Sequence, residues 1–416
     1  NSLQNAVMSA LGEGSSGVPT PQAPLTQEKD TGARIRLGME TRVLKLAAGA
    51  DLKAHPAADA FPGKAPTGAP RVTKDVTIDP SVPGWASTGM WVNAGEPIPV
   101  KVPADIAGKG FAVRIGCHKD KLWHLPKWER MPEITRQWPL SGETTTVASP
   151  FGGLVYVVVH RSPRPKTETL NITISGAVEA PLFTLGTTSI EDWKTRIRAL
   201  PGPWAELAID KVILTIPSRE IRTLNDPESL LRYWDRLADA EDELGGISTA
   251  ARVGRSERFV ADVQISAGYM HSGYPIMTHL DAAADMVSLD KLRAGSWGLL
   301  HELGHNHQHP DWTFGGTGEV TNNVFVLYTL QTVCERPWDE VHKSLKNRDQ
   351  NIAKYLAGGA RFETWKSDPF LALQMYAQLV EGFGWDTYKR VLAEYRDLPD
   401  DQRPKTDDQK RDQWLV

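Results

Sequence analysis

Hydrophobic and polar positions fall into three textures along the chain. Between about residues 74 and 178, short β-branched and aromatic runs such as VTIDP, FAVRIGCH, LVYVVVH and LNITISGAV are separated by turn residues at intervals that suit an antiparallel β-sandwich. After Pro181 the apolar period lengthens. SIEDWKTRIRAL and DPESLLRYWDRLADAEDEL carry helical spacing, the second opening with Asp226 as N-cap and Pro227 at the first helical position. Strand-like KVILTIPS and RFVADVQISAGY flank that second helix, and beyond about residue 286 the pattern is mostly helical. Residues 1–70 are rich in Ala, Gly, Pro and Ser, with one helical piece near RIRLGMETRVLKLAAGA, and are expected to be a linker-like or docking arm. The expected class is α+β. An N-terminal arm (1–70) leads into an antiparallel β-sandwich (71–180) and then a second domain (181–416) whose C-terminal part is mostly helical.

Composition narrows the function classes. A chain of 416 residues can bury two or three cores, and a 24% charged content is ordinary for globular protein. Charges of both signs are interspersed, the formal net charge is -4 and the pI is near 6.3, so the basic footprint that nucleic acid needs is missing. No apolar run approaches the roughly 18 residues of a membrane span. Cys117 and Cys334 are far apart and outside any CxxC pattern, which makes both packed thiols rather than metal ligands. The chain opens at Asn1 without an apolar signal core, and a removed leader or preceding region is expected.

The chemistry concentrates in GLLHELGHNHQHPDWTFGGTGEVTNN, residues 298–323. The apolar spacing of SLDKLRAGSWGLLHELGHNHQ predicts a helix that closes before Pro310, so His301 and His305 share one face. Two imidazoles four residues apart can bind one zinc ion, and Glu302, offset by one residue, can reach water on that ion rather than the metal itself. A metzincin would need Gly at 308 and His at 311, where this chain has Gln308 and Asp311. Glu319, after a Gly-rich turn and at the start of another apolar-periodic run, is the candidate third ligand, which leaves one position open as in catalytic zinc sites. His307 and His309 are rival ligands near the end of the helix. Asn322 and Asn323 lie one turn beyond Glu319 and face the cleft, either supporting a ligand histidine or binding substrate.

HELGHNHQ at 301–308, Trp312, and GEVTNN at 318–323, with MHSGYPIMTHLD, SPFGGLVYVVV and TGMWVNAGEPIPVKVP upstream, resemble the enhancin-like, mucin-targeting zinc metallopeptidases. That resemblance implies a gluzincin-type domain behind a β-sandwich. It also implies one zinc held by His301, His305 and Glu319, with Glu302 as general base, secretion or bacterial surface display, and action on O-glycosylated proteins or mucins. The oxyanion is expected to take a hydrogen bond from a group such as His342 or Tyr376; Tyr328 is a weaker choice, nine residues past Glu319 and on the opposite helix face. ADVQISAGYMHSGYPIMTHLD, which contains Tyr274, is a candidate for strand pairing with substrate, and Trp312 is the candidate for stacking on sugar. Two other classes stay open: a general zinc peptidase indifferent to glycans, and a mucin- or glycan-binding module with a vestigial zinc site.

Overall fold

The computed structural model describes residues 17–160, 169–247 and 256–415, so the first sixteen residues of the expected arm lie outside the described residues. Two compact units emerge. One holds residues up to Glu228 together with the segments ending at Tyr269 and Met277–Ala283; the other holds Ser229 onward, Met270–Ile276 and everything from Ala284.

In the first unit the arm is folded. Its helical piece is helix α1 (Thr31–Leu46), with Ala33, Leu37 and Thr41 buried, and Arg34 lies over the Trp128 ring at 3.8 Å while donating to the carbonyls of Leu125 and Pro126. The sandwich follows as expected. One antiparallel sheet joins Val72–Ile78, Leu170–Glu179, Ile98–Lys101 and Thr144–Val147; the other joins Gly84–Val92, Gly153–Val159, Ala112–Ile115 and Arg136–Pro139. Leu170–Glu179 takes part in both, because its register shifts at Gly176, where φ is 78° and a side chain would be strained. Val100, Val113, Val157 and Ile174 from the two sheets meet in one core.

Beyond the sandwich the same unit carries a mixed sheet, with Leu182–Thr184 parallel to Trp204–Ala208, which is antiparallel to Val212–Pro217, itself parallel to Glu257–Asp262. Both strand-like runs of the sequence are in it. Arg258 and Glu206 form a fully buried ion pair here, and Glu206 also accepts from Tyr156 Oη and Thr215 Oγ1, so the charges are compensated by hydrogen bonds as well as by each other.

The second unit is helical. Helix α2 (Pro227–Leu244) starts at the expected proline. Helix α3 (Trp297–His307) carries the histidines and ends where Gln308 turns extended, two residues before Pro310. After the Gly-rich turn comes helix α4 (Gly318–Thr332), buried from Val320 to Leu330. Gly304 of α3 lies so close to α4 that a Cβ would stand 2.6 Å from the Asn322 carbonyl, and this contact sets the helix spacing. Helix α5 (Pro369–Phe383) is capped by Asp368, which accepts from the amides of Phe370 and Leu371, and helix α6 (Trp385–Asp397) follows. Trp312, Val324, Phe325, Leu373, Tyr376 and Tyr395 share the apolar core of these helices. The architecture is the expected α+β arrangement.

Candidate metal centre

On α3 the 3.6-residue period puts the rings of His301 and His305 side by side, with centroids 4.7 Å apart and planes at 89°. Glu319 comes to meet them from α4. Its backbone is non-helical (φ -89°, ψ 15°), so it sits at the bend where the turn becomes helix, and its side chain is directed back toward α3. Glu319 Oε2 lies 3.1 Å from His301 Nε2 and 3.4 Å from His305 Nε2. Donors bound to one tetrahedral zinc at about 2.0–2.1 Å stand roughly 3.3 Å apart, so these atoms are spaced as a zinc ligand set is. Metal-ligating atoms of His301, Glu302 and His305 also lie within 4.8 Å of one another, which places the Glu302 carboxylate beside the set.

The neighbours of the two imidazoles fix their tautomers. His301 Nδ1 donates to Asn323 Oδ1 at 2.8 Å, and Asn323 Nδ2 donates to the Glu319 carbonyl at 2.8 Å. His305 Nδ1 donates to Gln308 Oε1 at 2.7 Å, and the Gln308 amide is itself held by the Gly318 carbonyl and Thr321 Oγ1. With both Nδ1 atoms protonated, Nε2 is the atom each ring turns to Glu319: it donates to Glu319 Oε2 while protonated and would offer its lone pair to a metal once that proton is displaced. Hydrogen bonds from His301 and His305 keep the Glu319 carboxyl well below the usual carboxylate range. Two neutral nitrogen donors and an ionised oxygen donor suit zinc, and three protein ligands leave a fourth position for water or substrate.

Glu302 is 7% exposed, and its burial pushes its pKa upward against the opposing pull of His301 and His305. A short strand beside α3 adds a group that sequence reasoning missed. Asn306 clamps Gly273, accepting from its amide at 2.8 Å and donating to its carbonyl at 3.0 Å, and Gly298 packs near Met270 at the other end of the helix. His271, on that strand, lies close enough to Glu302 to act on its charge. The Gly273–Tyr274 stretch is partly exposed beside the helix.

Several expected roles are not met by the geometry. His307 is 4% exposed, and it donates from Nδ1 to the Leu303 carbonyl and from Nε2 to Asp242 Oδ1, with Glu241 Oε2 3.3 Å away. Burial opposes its charge, but Asp242 and Glu241 outweigh it and raise the pKa to about 10, so neither ring nitrogen offers a lone pair to a metal. His309 turns to Asp311 and the Trp312 ring. Trp312 is 1% exposed, enclosed by Tyr395 and the Arg396 guanidinium, and so has no open face on which a sugar can stack. Asn322 and Asn323 are buried against His301, so of their two candidate roles the structure retains support of the ligand, not contact with substrate. Tyr376 is buried in the helical core, and Tyr328 is buried near Glu243 and Lys389; neither faces the histidines. His342 does come near. It stacks on Phe370 at 4.2 Å and packs on Trp297 at 4.6 Å, one turn before His301. Both cysteines are buried, and burial raises the pKa of each thiol.

The fold is that of a metallopeptidase. Residues 176–416 match the family described as peptidase M60, enhancin and enhancin-like, and residues 67–175 match the N-terminal domain of M60-like peptidases. The chain belongs to the M60 enhancin-like peptidase family, as the HELGHNHQ and GEVTNN motifs indicated. TRPM8 channel-associated factor 2 of Mus musculus is 40% identical over 341 residues, covering 79% of this chain and 36% of that protein. The chain thus spans about a third of the length of such curated relatives. Among solved structures, a conserved protein of unknown function from Bacillus anthracis (a mutant form) is similar, with a TM-score of 0.67, 22% identity, and coverage of 82% of this chain and 72% of that one. IMPa metallopeptidase from Pseudomonas aeruginosa has a TM-score of 0.65 at 18% identity over 99% of this chain and 54% of its own, and a structure of IMPa with an O-glycopeptide is also similar. Among the described residues, no helix is long and apolar enough to cross a membrane.

Proposed function

We propose that the chain is a zinc metalloendopeptidase that hydrolyses O-glycosylated, mucin-type proteins beside modified Ser or Thr residues. The observation that carries the reading is the convergence of Glu319 Oε2 on both His301 Nε2 and His305 Nε2, with the Glu302 carboxylate beside them. Zinc, when bound there, supplies a Lewis acid for the scissile carbonyl and lowers the pKa of water from about 15.7 toward about 7. Glu302 takes the proton of the attacking water and returns it to the leaving amine, a task helped by the upward shift that burial gives its pKa. Asn323 and Gln308 hold the imidazoles in the ligating tautomer. His342 accepts from the Ser344 amide through Nδ1, which leaves its Nε2–H as the candidate donor to the oxyanion.

The sugar requirement is supported by the fold shared with IMPa, whose structure is known with an O-glycopeptide. Secretion or surface display is part of the same reading, because mucin-type substrates are extracellular. The name carried by the vertebrate relatives favours a second reading, in which the chain binds a channel protein without hydrolysis. Two peptides that differ only in one N-acetylgalactosamine on Ser or Thr provide the test. The zinc-loaded chain is expected to cut the glycopeptide next to the modified residue and spare the bare one. Equal cleavage of both makes it a general zinc peptidase, and binding without cleavage of either favours the second reading.

A further inference from the structure

Between the far half of α4, the 335–350 segment and α5 lies a cleft of about 1160 Å³. It is separate from the metal centre. Gln331 on its wall is eleven residues past Val320, about 16 Å along α4 from the end that carries Glu319.

Its lining is unusual for a helical surface. Trp338 and Trp385 are half-buried in it, ring centroids 6.3 Å apart and planes at 79°. Each indole N–H is already held, Trp338 by the Leu327 carbonyl at 2.9 Å and Trp385 by Gln331 Oε1 at 3.0 Å, so the rings are fixed in place before any ligand arrives. Gln374, 2% exposed, donates its amide to the Phe370 carbonyl and leaves Oε1 with no hydrogen-bond partner among the described residues. An acceptor buried in that state is destabilising unless something donates to it. Arg348 and Glu381 make a bidentate pair on the rim. Glu335, three residues past the end of α4, adopts a left-handed backbone that favours glycine. The Arg336 amide bonds back to the Leu330 carbonyl, and Glu335 takes φ 54° with its side chain on the cleft wall.

We propose that this cleft is a binding site for a neutral oligosaccharide. Its three basic and four acidic side chains nearly cancel, which disfavours phosphates and other polyanions. Rigid indoles present apolar faces to the C–H surface of a pyranose, while a buried amide oxygen and paired charged groups meet hydroxyls as donors and acceptors. The site stands independently of whether the chain cleaves peptides, and it would hold the sugar of a glycoprotein away from the zinc.

The test uses the full chain carrying Glu302→Gln, loaded with zinc so that no substrate is consumed. Lactose, N-acetyllactosamine and chitobiose are titrated to about 20 mM, followed by tryptophan fluorescence and saturation-transfer NMR. At least one of these sugars is expected to bind, with unsulfated forms preferred over a sulfated disaccharide control. Gln374→Leu, close to isosteric, and Trp385→Ala are each expected to weaken binding about tenfold, while chain with the native Glu302 binds as the Glu302→Gln form does. If Trp385→Ala fails to fold, Gln374→Leu alone decides. The proposal is overturned if none of the sugars binds, if the sulfated control binds better, or if binding survives Gln374→Leu unchanged.

Discussion

Glu302 and the amides around the histidines can be separated by single substitutions, because in the proposed function one would act on the reaction and the others on the metal. Glu302→Gln keeps the shape of the side chain beside His301 and His305 but removes the proton acceptor, so zinc content should be unchanged while turnover falls by about 10²–10⁴. Asn323→Ala frees the His301 ring and Gln308→Ala the His305 ring; each is expected to weaken zinc binding about 10–100-fold, read by competition with a chromophoric chelator. That His301, His305 and Glu319 come together was legible in sequence because an i, i+4 pair needs only a helix to share one face, and Glu319 follows a glycine-rich turn that announces a reversal. Trp312 was not legible. Its burial is decided by Tyr395 and Arg396, more than eighty positions away, and no local pattern says that α6 closes over it. His307 was only a rival ligand in the sequence, and what occupies it instead was not legible, since its partners Glu241 and Asp242 lie on α2.

At the level of elements, α3 is held by contacts on two sides. Gly304 lets it approach α4, and Gly304→Ala would bring a Cβ to 2.6 Å from the Asn322 carbonyl. The helices must then part, at a cost of about 1–3 kcal/mol set against a gain of about 1 kcal/mol in helix propensity. Because the same shift moves Glu319 away from the histidines, the telling result is a loss of zinc affinity larger than the loss of thermal stability. On its other side, His307 joins the end of α3 to α2. His307→Leu removes the buried cation between Asp242 and Glu241 and is expected to destabilise the chain by about 3–5 kcal/mol in urea unfolding, with His307→Ala no better tolerated. Strand and helix periods were readable from the pattern alone, as the sandwich strands and the start of α2 at Pro227 show. Which face of each helix turns inward was not, and Tyr376, one candidate oxyanion donor from the C-terminal helical region, belongs to the core.

For the molecule as a whole, the proposed metal ligands come from α3 and α4, both already packed in the apolar core of the helical unit, so zinc bound there would refine a folded domain and not create it. Chelation should therefore lower Tm by several degrees in proportion to the zinc affinity, with far-UV circular dichroism retained below the transition. A collapse of helical signal on chelation at 25 °C would show that the metal is structural. The account rests on one claim, that His301, His305 and Glu319 present a metal to substrate with Glu302 as the base. Its most direct test is mass spectrometry of an O-glycosylated mucin fragment incubated with the chain at one zinc per molecule, beside Glu302→Gln at the same zinc content. The account predicts new peptide termini with the first protein and none with the second; an intact fragment in both, or equal cleavage by both, contradicts it.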